Sequence, residues 1–435
     1  MPDELARRLG TTDAVVVGLS AMIGAGVFAA FAPAAEAAGH WLLASLALAA
    51  VVAYCNATSS ARLAALYPES GGTYVYGRRR LGPLWGYLAG WGFTIGKTAS
   101  CAAMALTFGA YVLPGLERPL AIVAVAVLTV LNLFGVRRSA GVARVIVAFV
   151  LAVLVMVIAV GLLGEDSAAF GWFAYAPASE AFLRNAAGAY PADVWGIMQG
   201  AGLLFFAFAG YARIATLGEE VRDPARTIPR AVGIALGITL AVYALVAVAA
   251  LRTLQPELLA TSAAPLADLV REAGYGGLAP LVRAGAAVAA LGALLALLLG
   301  VSRTVLAMAR ERDLPGALSA VDPVRQVPRR AELAVGAAVI VLLLVADLRG
   351  AIGFSSFGVL VYYAVANACA LTLGRDEGAP PRLVPVAGLV LCLALAATLP
   401  VASVVAGVAV FAAGLVIYLV RRTRGGPVDG GRPKA

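Results

Sequence analysis

The sequence predicts an all-α integral membrane protein, and three observations carry that expectation. Of 435 residues, 62% are apolar and only 13% are charged, about half the ~25% usual for a soluble domain. Uncharged runs recur along the chain, several of them longer than the roughly 18–20 residues a helix needs to cross a bilayer. Two of these runs are interrupted near the middle by small residues, at Gly24-Ala25-Gly26 and at Ala207-Phe208-Ala209-Gly210. A net charge of +9 would suit nucleic acid in a soluble protein, but the apolar runs between the bases exclude that partner.

Hydropathy divides the chain into twelve segments: residues 14–38, 41–66, 84–113, 120–135, 142–163, 194–217, 231–251, 281–309, 333–346, 351–373, 383–399 and 401–420. The last two abut, and Pro400 alone marks the boundary between them. Residues 1–163 form a first unit of five segments after a short tail, 1–12. Residues 164–373 form a second such unit, 374–420 add two helices, and 421–435 read as a disordered basic tail near anionic headgroups. The Met1–Gly10 leader carries both acids and bases, and the run after it is too long for the core of a cleavable secretion signal.

Bases orient the segments. With both termini cytoplasmic, the inner connections hold Arg78 to Arg80, Arg137, Arg138, Arg144, Arg310, Arg312, Arg329, Arg330 and the tail. The opposite side then keeps only Arg118, Arg184, Arg252, Arg271, Arg283 and Arg349. Between segments 5 and 6, Trp172 and Tyr175 read as interfacial aromatics. Cys55, Cys101, Cys369 and Cys392 all lie in apolar segments and read as small buried hydrophobes. With one histidine, His40, there is no pattern for a metal. No cofactor is expected.

The interruptions suggest a function. Backbone within a membrane stays helical unless it lines a cavity or holds a ligand. Small residues alone can signal close helix packing. Segments 1 and 6 are five apart, however, so they enter from opposite sides. Interrupted helices at matching positions of two inverted halves point to a transporter's central site. A half-helix N-terminus suits a carboxylate, and a half-helix C-terminus suits an ammonium or a metal cation. A zwitterion such as an amino acid satisfies both.

At these residues the chain resembles the amino acid–polyamine–organocation (APC) transporter superfamily. Gly24-Ala25-Gly26-Val27-Phe28 is similar to its Gly-small-Gly-aliphatic-Phe run, and Pro68-Glu69-Ser70-Gly71-Gly72-Thr73-Tyr74 to its Pro-x-x-Gly-Gly-x-Tyr element. Residues 219–229, from Glu219-Glu220 to Ile228-Pro229, and the Arg-rich stretch 303–315 are similar to two further loops. The resemblance covers nearly the whole chain. It implies a leucine-transporter-type 5+5 inverted repeat with discontinuous helices 1 and 6, and a secondary transporter working by alternating access. It also implies that the backbone N–H groups of Gly24, Ala25 and Gly26 receive a carboxylate. The carbonyls of Met22, Ile23, Phe206, Ala207 and Ala209 would receive the ammonium. Phe206 would close over substrate beside Tyr211, and Glu219 would help close the inner gate. Ala25 stands where relatives often have Ser, so carboxylate binding here rests on backbone groups.

Lys97 is one of two lysines and lies inside segment 3. Counted from Leu84 it sits about 20 Å along the helix; counted from Trp91 it is within snorkelling reach. An intramembrane ionisable group is by default a functional candidate. Its amine could exchange a proton during the cycle, stand as a fixed charge where relatives hold sodium, or be a structural cation held by carbonyls. Segment 8 has no hydroxyl between Ala284 and Gly300, though Ser302 and Thr304 follow. Proton coupling or exchange is therefore expected ahead of sodium.

No acid lies mid-way along segments 3, 8 or 10, where Ser355, Ser356 and Asn367 supply modest polarity, so neutral amino acids are the expected substrates. A polyamine or cationic amino acid transporter or antiporter of the same fold is the alternative. An intramembrane enzyme would need a nucleophile–base pair or metal cluster that His40 cannot supply. A channel would show rings of charge or carbonyls from repeated subunits. The loop 114–119 has no cysteine, so no disulfide-linked subunit is expected, and the chain reads as a monomer or weak homo-oligomer. Preference for Arg over Lys suggests a GC-rich bacterial genome, hence the plasma membrane.

Overall fold

Helices account for the regular structure of the computed structural model, which describes residues 10–68, 71–135, 140–164, 193–215, 221–322 and 325–424. Helices α1 (Thr11–Met22), α2 (Ala25–Ala29) and α3 (Phe31–Ala38) together make up segment 1. Next come α4 (Leu42–Leu66), α5 (Thr73–Arg80), α6 (Pro83–Val112), α7 (Glu117–Leu133) and α8 (Ala140–Leu163). Segment 6 is α9 (Val194–Phe208), a 3-10 turn (Ala209–Tyr211) and the short α10 (Ala212–Ala215). The chain continues as α11 (Pro224–Thr253), α12 (Pro256–Thr261), α13 (Pro265–Glu272) and α14 (Ala279–Arg310). It ends with α15 (Arg329–Val345), α16 (Leu348–Leu371), α17 (Leu383–Thr398) and α18 (Val401–Arg424). Eight helical runs among the described residues are long and apolar enough to cross a membrane, and α17 is a shorter apolar helix.

Several boundaries move from their expected places, for local reasons. Helix α11 begins seven residues early because Pro224 occupies its first turn, where a missing N–H costs nothing. Helix α15 begins at Arg329, which brings Glu332 into a helix that hydropathy had started at Leu333. Between α17 and α18 the chain breaks at Leu399-Pro400, as the proline required. Helix α6 starts at Pro83, so Lys97 lies roughly 20 Å along it, near mid-length. The four cysteines are free and buried, in keeping with their apolar settings.

Helix α6 is the pillar of the structure, packed between α14 and α16. It approaches α16 through glycines: a Cβ added at Gly358 would lie 2.9 Å from both the Gly92 carbonyl oxygen and the Gly96 Cα. The Gly92-x-x-x-Gly96 spacing puts both glycines on one face, and backbones meet there without intervening side chains. Helix α4 packs against α9 and α11, and α1 against α11, which gathers segments 1, 2, 6 and 7, and α2 lies against the α6 pillar. Helix α18 is largely exposed and is held from one side. The Trp91 indole donates to the Val410 carbonyl at 3.0 Å, and the Tyr87 hydroxyl to that of Gly414 at 2.8 Å.

Polar ties close the two ends. At the end where α1 begins, Arg78 pairs with Asp313 at 2.9 Å and Glu311 at 3.2 Å, and the Tyr74 hydroxyl donates to Asp313 at 2.7 Å. Arg80 pairs with Glu377, and Arg144 with Asp13. Burial pushes the Asp313 carboxyl up, while the Tyr74 hydroxyl and Arg78 pull it back. At the opposite end Arg349 pairs with Glu36 of α3 and donates to the Ala260 carbonyl of α12. A pocket of about 220 Å³ lies there, between the second half of segment 1, residues 261–265 and the start of α16.

Two outcomes follow from this packing. Gly358→Ala drives a methyl into backbone that no rotamer change can clear, and is expected to destabilise the fold by about 1–3 kcal/mol. That appears as a lower thermal midpoint in detergent, with exposed Val145→Ala as the unaffected control. The Arg80 guanidinium and the Gly374 N–H hold the Glu377 carboxyl below its ordinary value. A depressed folded-state value contributes stability above the unfolded value, which is lost as pH falls through the folded one. Glu377→Gln should therefore lower the midpoint at pH 7, and the two proteins should converge as pH drops below about 4.

Candidate functional site

The first interruption is narrower than the glycine run suggested. Helix α1 ends at Met22, Ile23 and Gly24 are non-helical, and helix resumes at Ala25. Ala25 and Gly26 thus belong to a new short helix, and the open backbone is confined to Ile23-Gly24. The second interruption differs in kind. Phe206 and Ala207 lie in the last turn of α9, and the chain then tightens into the 3-10 turn Ala209–Tyr211 instead of uncoiling.

The two interruptions touch. A Cβ on Gly26 would stand 2.6 Å from the Ala207 Cα, and one on Gly210 would stand 2.4 Å from the Ala21 carbonyl. A Cβ on Gly24 would meet the Ala293 methyl of α14 at 2.9 Å. Only glycine permits these approaches. Met22, Ile23, Gly24, Ala25, Gly26, Phe206, Ala207, Ala209 and Tyr211 are all buried. Gly210, at the centre of the turn, is partly buried.

Freed carbonyls at the junction are met by side chains from neighbouring helices. The Tyr243 hydroxyl of α11 lies 2.6 Å from the Met22 oxygen and 3.1 Å from that of Ala207, and so faces both interrupted helices at once. Lys97 of α6 donates from Nζ to the Ala209 carbonyl at 3.2 Å. Lys97 is 6% exposed and lies near the middle of its helix. Near the far end of the same helix α6, the Tyr111 hydroxyl donates to the Phe28 carbonyl at 2.9 Å, beside the bend at Ala30.

Aromatic rings divide by role. Phe205 packs edge-on against Tyr363, and Phe208 against Tyr243 with centroids 5.0 Å apart. Tyr211 lies over Tyr363 at 5.1 Å. Phe206 has no ring partner among the described contacts. Glu219, expected at the gate, lies outside the described residues together with Glu220, Trp172 and Tyr175.

Polar groups expected on segment 10 are largely spent on packing. The Asn367 amide donates to Asn56 at 2.6 Å and accepts from the Ser59 hydroxyl at 2.7 Å, which ties α16 to α4. Ser355 is hydrogen-bonded to Ser100 at 2.6 Å. Ser302 donates to Glu332 at 2.7 Å, and Thr304 donates to Gly300 of its own helix.

Sequence reasoning missed two residues. Tyr243 sits in a run of small aliphatic residues, and its one signal was a hydroxyl in an otherwise inert span. Glu332 is 1% exposed; it was hidden by the late start assigned to its helix. Tyr243→Phe keeps the ring against Phe208 and Phe31 but strips a donor from two buried carbonyls. A loss of about 1–3 kcal/mol is expected, read as a lower thermal midpoint of the purified protein.

This arrangement of two touching interruptions can be set beside known proteins. The amino acid permease family matches residues 13–425. An uncharacterized transporter of Mycobacterium tuberculosis is 64% identical over 422 residues, covering 97% of this chain and 93% of the relative. The vacuolar cationic amino acid transporter 4 of Arabidopsis thaliana is 30% identical over 88% of this chain and 65% of its own length. Human cationic amino acid transporter 4 is 28% identical over 88% of this chain and 62% of its own. With the match running through both interruptions and nearly end to end, the chain belongs to the amino acid permease family.

Proposed function

We propose that the chain is a secondary transporter of amino acids that works by alternating access. The observation that carries this reading is the contact between two interrupted helices at Ile23-Gly24 and Ala209–Tyr211, deep in an apolar molecule. Twelve spans in a 5+5 inverted arrangement, with α17 and α18 peripheral, account for two such interruptions five segments apart. In this reading both termini are cytoplasmic and the membrane is the plasma membrane.

Substrate carboxylate is received by the N–H groups of Gly24, Ala25 and Gly26, and its ammonium by carbonyls among Met22, Ile23, Phe206, Ala207 and Ala209. Phe206 closes over it beside Tyr211. The Arg78–Asp313–Tyr74 cluster, with Glu219, closes the inner side, and Arg349–Glu36 the outer. Neutral amino acids are the favoured cargo. The names of the plant and human relatives favour cationic amino acids as a second reading.

Lys97 is the coupling group in this scheme. It reaches from α6 to the turn in segment 6, so a rearrangement of that turn changes its surroundings. Segment 8 has no hydroxyl between Ala284 and Gly300, which supports proton coupling or exchange over sodium. Purified protein in liposomes supplies the test. Saturable counterflow of a labelled amino acid is expected; conductance without counterflow would make the chain a channel and end the proposal. Lys97→Met is expected to lose at least tenfold more of its pH-driven uptake than of its counterflow, on the order of the >1 kcal/mol worth of a charge-assisted contact. Equal losses would remove Lys97 from coupling.

A further inference from the structure

The permease reading favours neutral cargo without saying which residue would exclude a cationic one, and three contacts bear on it. The carbonyls of Met22 and Ala207 already face the Tyr243 hydroxyl, and that of Ala209 faces the Lys97 amine. The interrupted region, which offers carbonyls to a cation, therefore holds one that belongs to the chain. Lys97 is buried, and among the described residues no carboxylate pairs with it. The two buried described acids are committed elsewhere: Glu332 to Ser302 and Asn132, and Asp313 to Tyr74 and Arg78.

A zwitterionic substrate brings a carboxylate with its ammonium, so it adds no net charge beside Lys97. An arginine or lysine substrate adds a second cation. At separations of roughly 5–8 Å and an effective dielectric near 20, that repulsion amounts to on the order of thirty- to three-hundredfold in affinity. A bare polyamine fares worse, since it has no carboxylate to offset any of its charge. We propose that Lys97 is a specificity-determining residue that makes this permease reject amino acids of net positive charge, in contrast to the relatives named for cationic substrates. The inference rests on the permease reading and names the substrate class of that same site.

Size-matched pairs isolate charge from fit: arginine against citrulline, and 2,4-diaminobutyrate against homoserine. The full-length protein is titrated with these and with the twenty amino acids, and binding is read as thermal stabilisation. In the native chain, the neutral member of a pair is expected to stabilise at concentrations at least thirtyfold lower than its cationic partner. Lys97→Met and Lys97→Gln should narrow that ratio to within about threefold, while Lys97→Arg, which keeps the charge, should preserve it. Cationic members binding as well as neutral ones in the native chain would overturn the inference and leave the permease reading intact. An unchanged ratio in a folded neutral variant would overturn it as well. If neither neutral variant folds, the native ratio and that of Lys97→Arg still decide. No stabilisation by any amino acid would remove the permease reading itself, and the inference with it.

Discussion

An unpaired peptide group in an apolar interior costs several kcal/mol, and the architecture of this protein is organised around that cost. A continuous helix pays nothing because each carbonyl finds its own N–H four residues on. Once segment 1 stops at Met22 and segment 6 tightens at Ala209, several carbonyls lose that partner. The chain replaces them with side-chain donors projected from neighbouring helices: Tyr243 between Met22 and Ala207, Lys97 at Ala209, and Tyr111 at Phe28. Each donor comes from a helix that does not itself break. The interruptions are thus held open by rigid neighbours, and the peptide groups that a ligand would address are already arranged.

Close packing completes the arrangement. Gly26 lets α2 lie against Ala207, and Gly210 lets the 3-10 turn lie against Ala21 and Met22. Without side chains between them, two interrupted helices can bring backbone to backbone, so the hydroxyl of a single tyrosine faces a carbonyl of each. The same device, at Gly92, Gly96 and Gly358, seats α16 on α6 and fixes the pillar from which Lys97 extends. Glycine here serves distance more than conformation. None of these positions has a left-handed backbone, so their requirement is space.

Polar ties at the two ends differ in character from those in the middle. Arg78, Arg80 and Glu377 at one end, and Arg349 and Glu36 at the other, are charged, partly exposed and able to exchange partners with water, with Asp313 the buried member of its cluster. Those in the middle join side-chain donors to buried carbonyls, and breaking them leaves groups with nowhere to turn. The ties at the two ends are therefore individually weaker than those at the centre.

The sequence by itself determined the all-helical membrane class, the break at Pro400, the buried state of the four cysteines, and the two places where helices 1 and 6 depart from regularity. Composition and glycine spacing are local properties, and hydropathy over a span does not depend on what the span packs against. Only the tertiary structure decided that segment 6 tightens into a 3-10 turn, that the open backbone of segment 1 is Ile23-Gly24, and that Asn367 is spent on Asn56 and Ser59. It alone brought Tyr243 to Met22 and Lys97 to Ala209, residues 221 and 112 positions apart. A hydroxyl or an amine looks the same in a sequence whether it faces lipid, a sister helix or an open carbonyl. Which of these it meets depends on how helices distant along the chain cross, and no periodicity within one span records that.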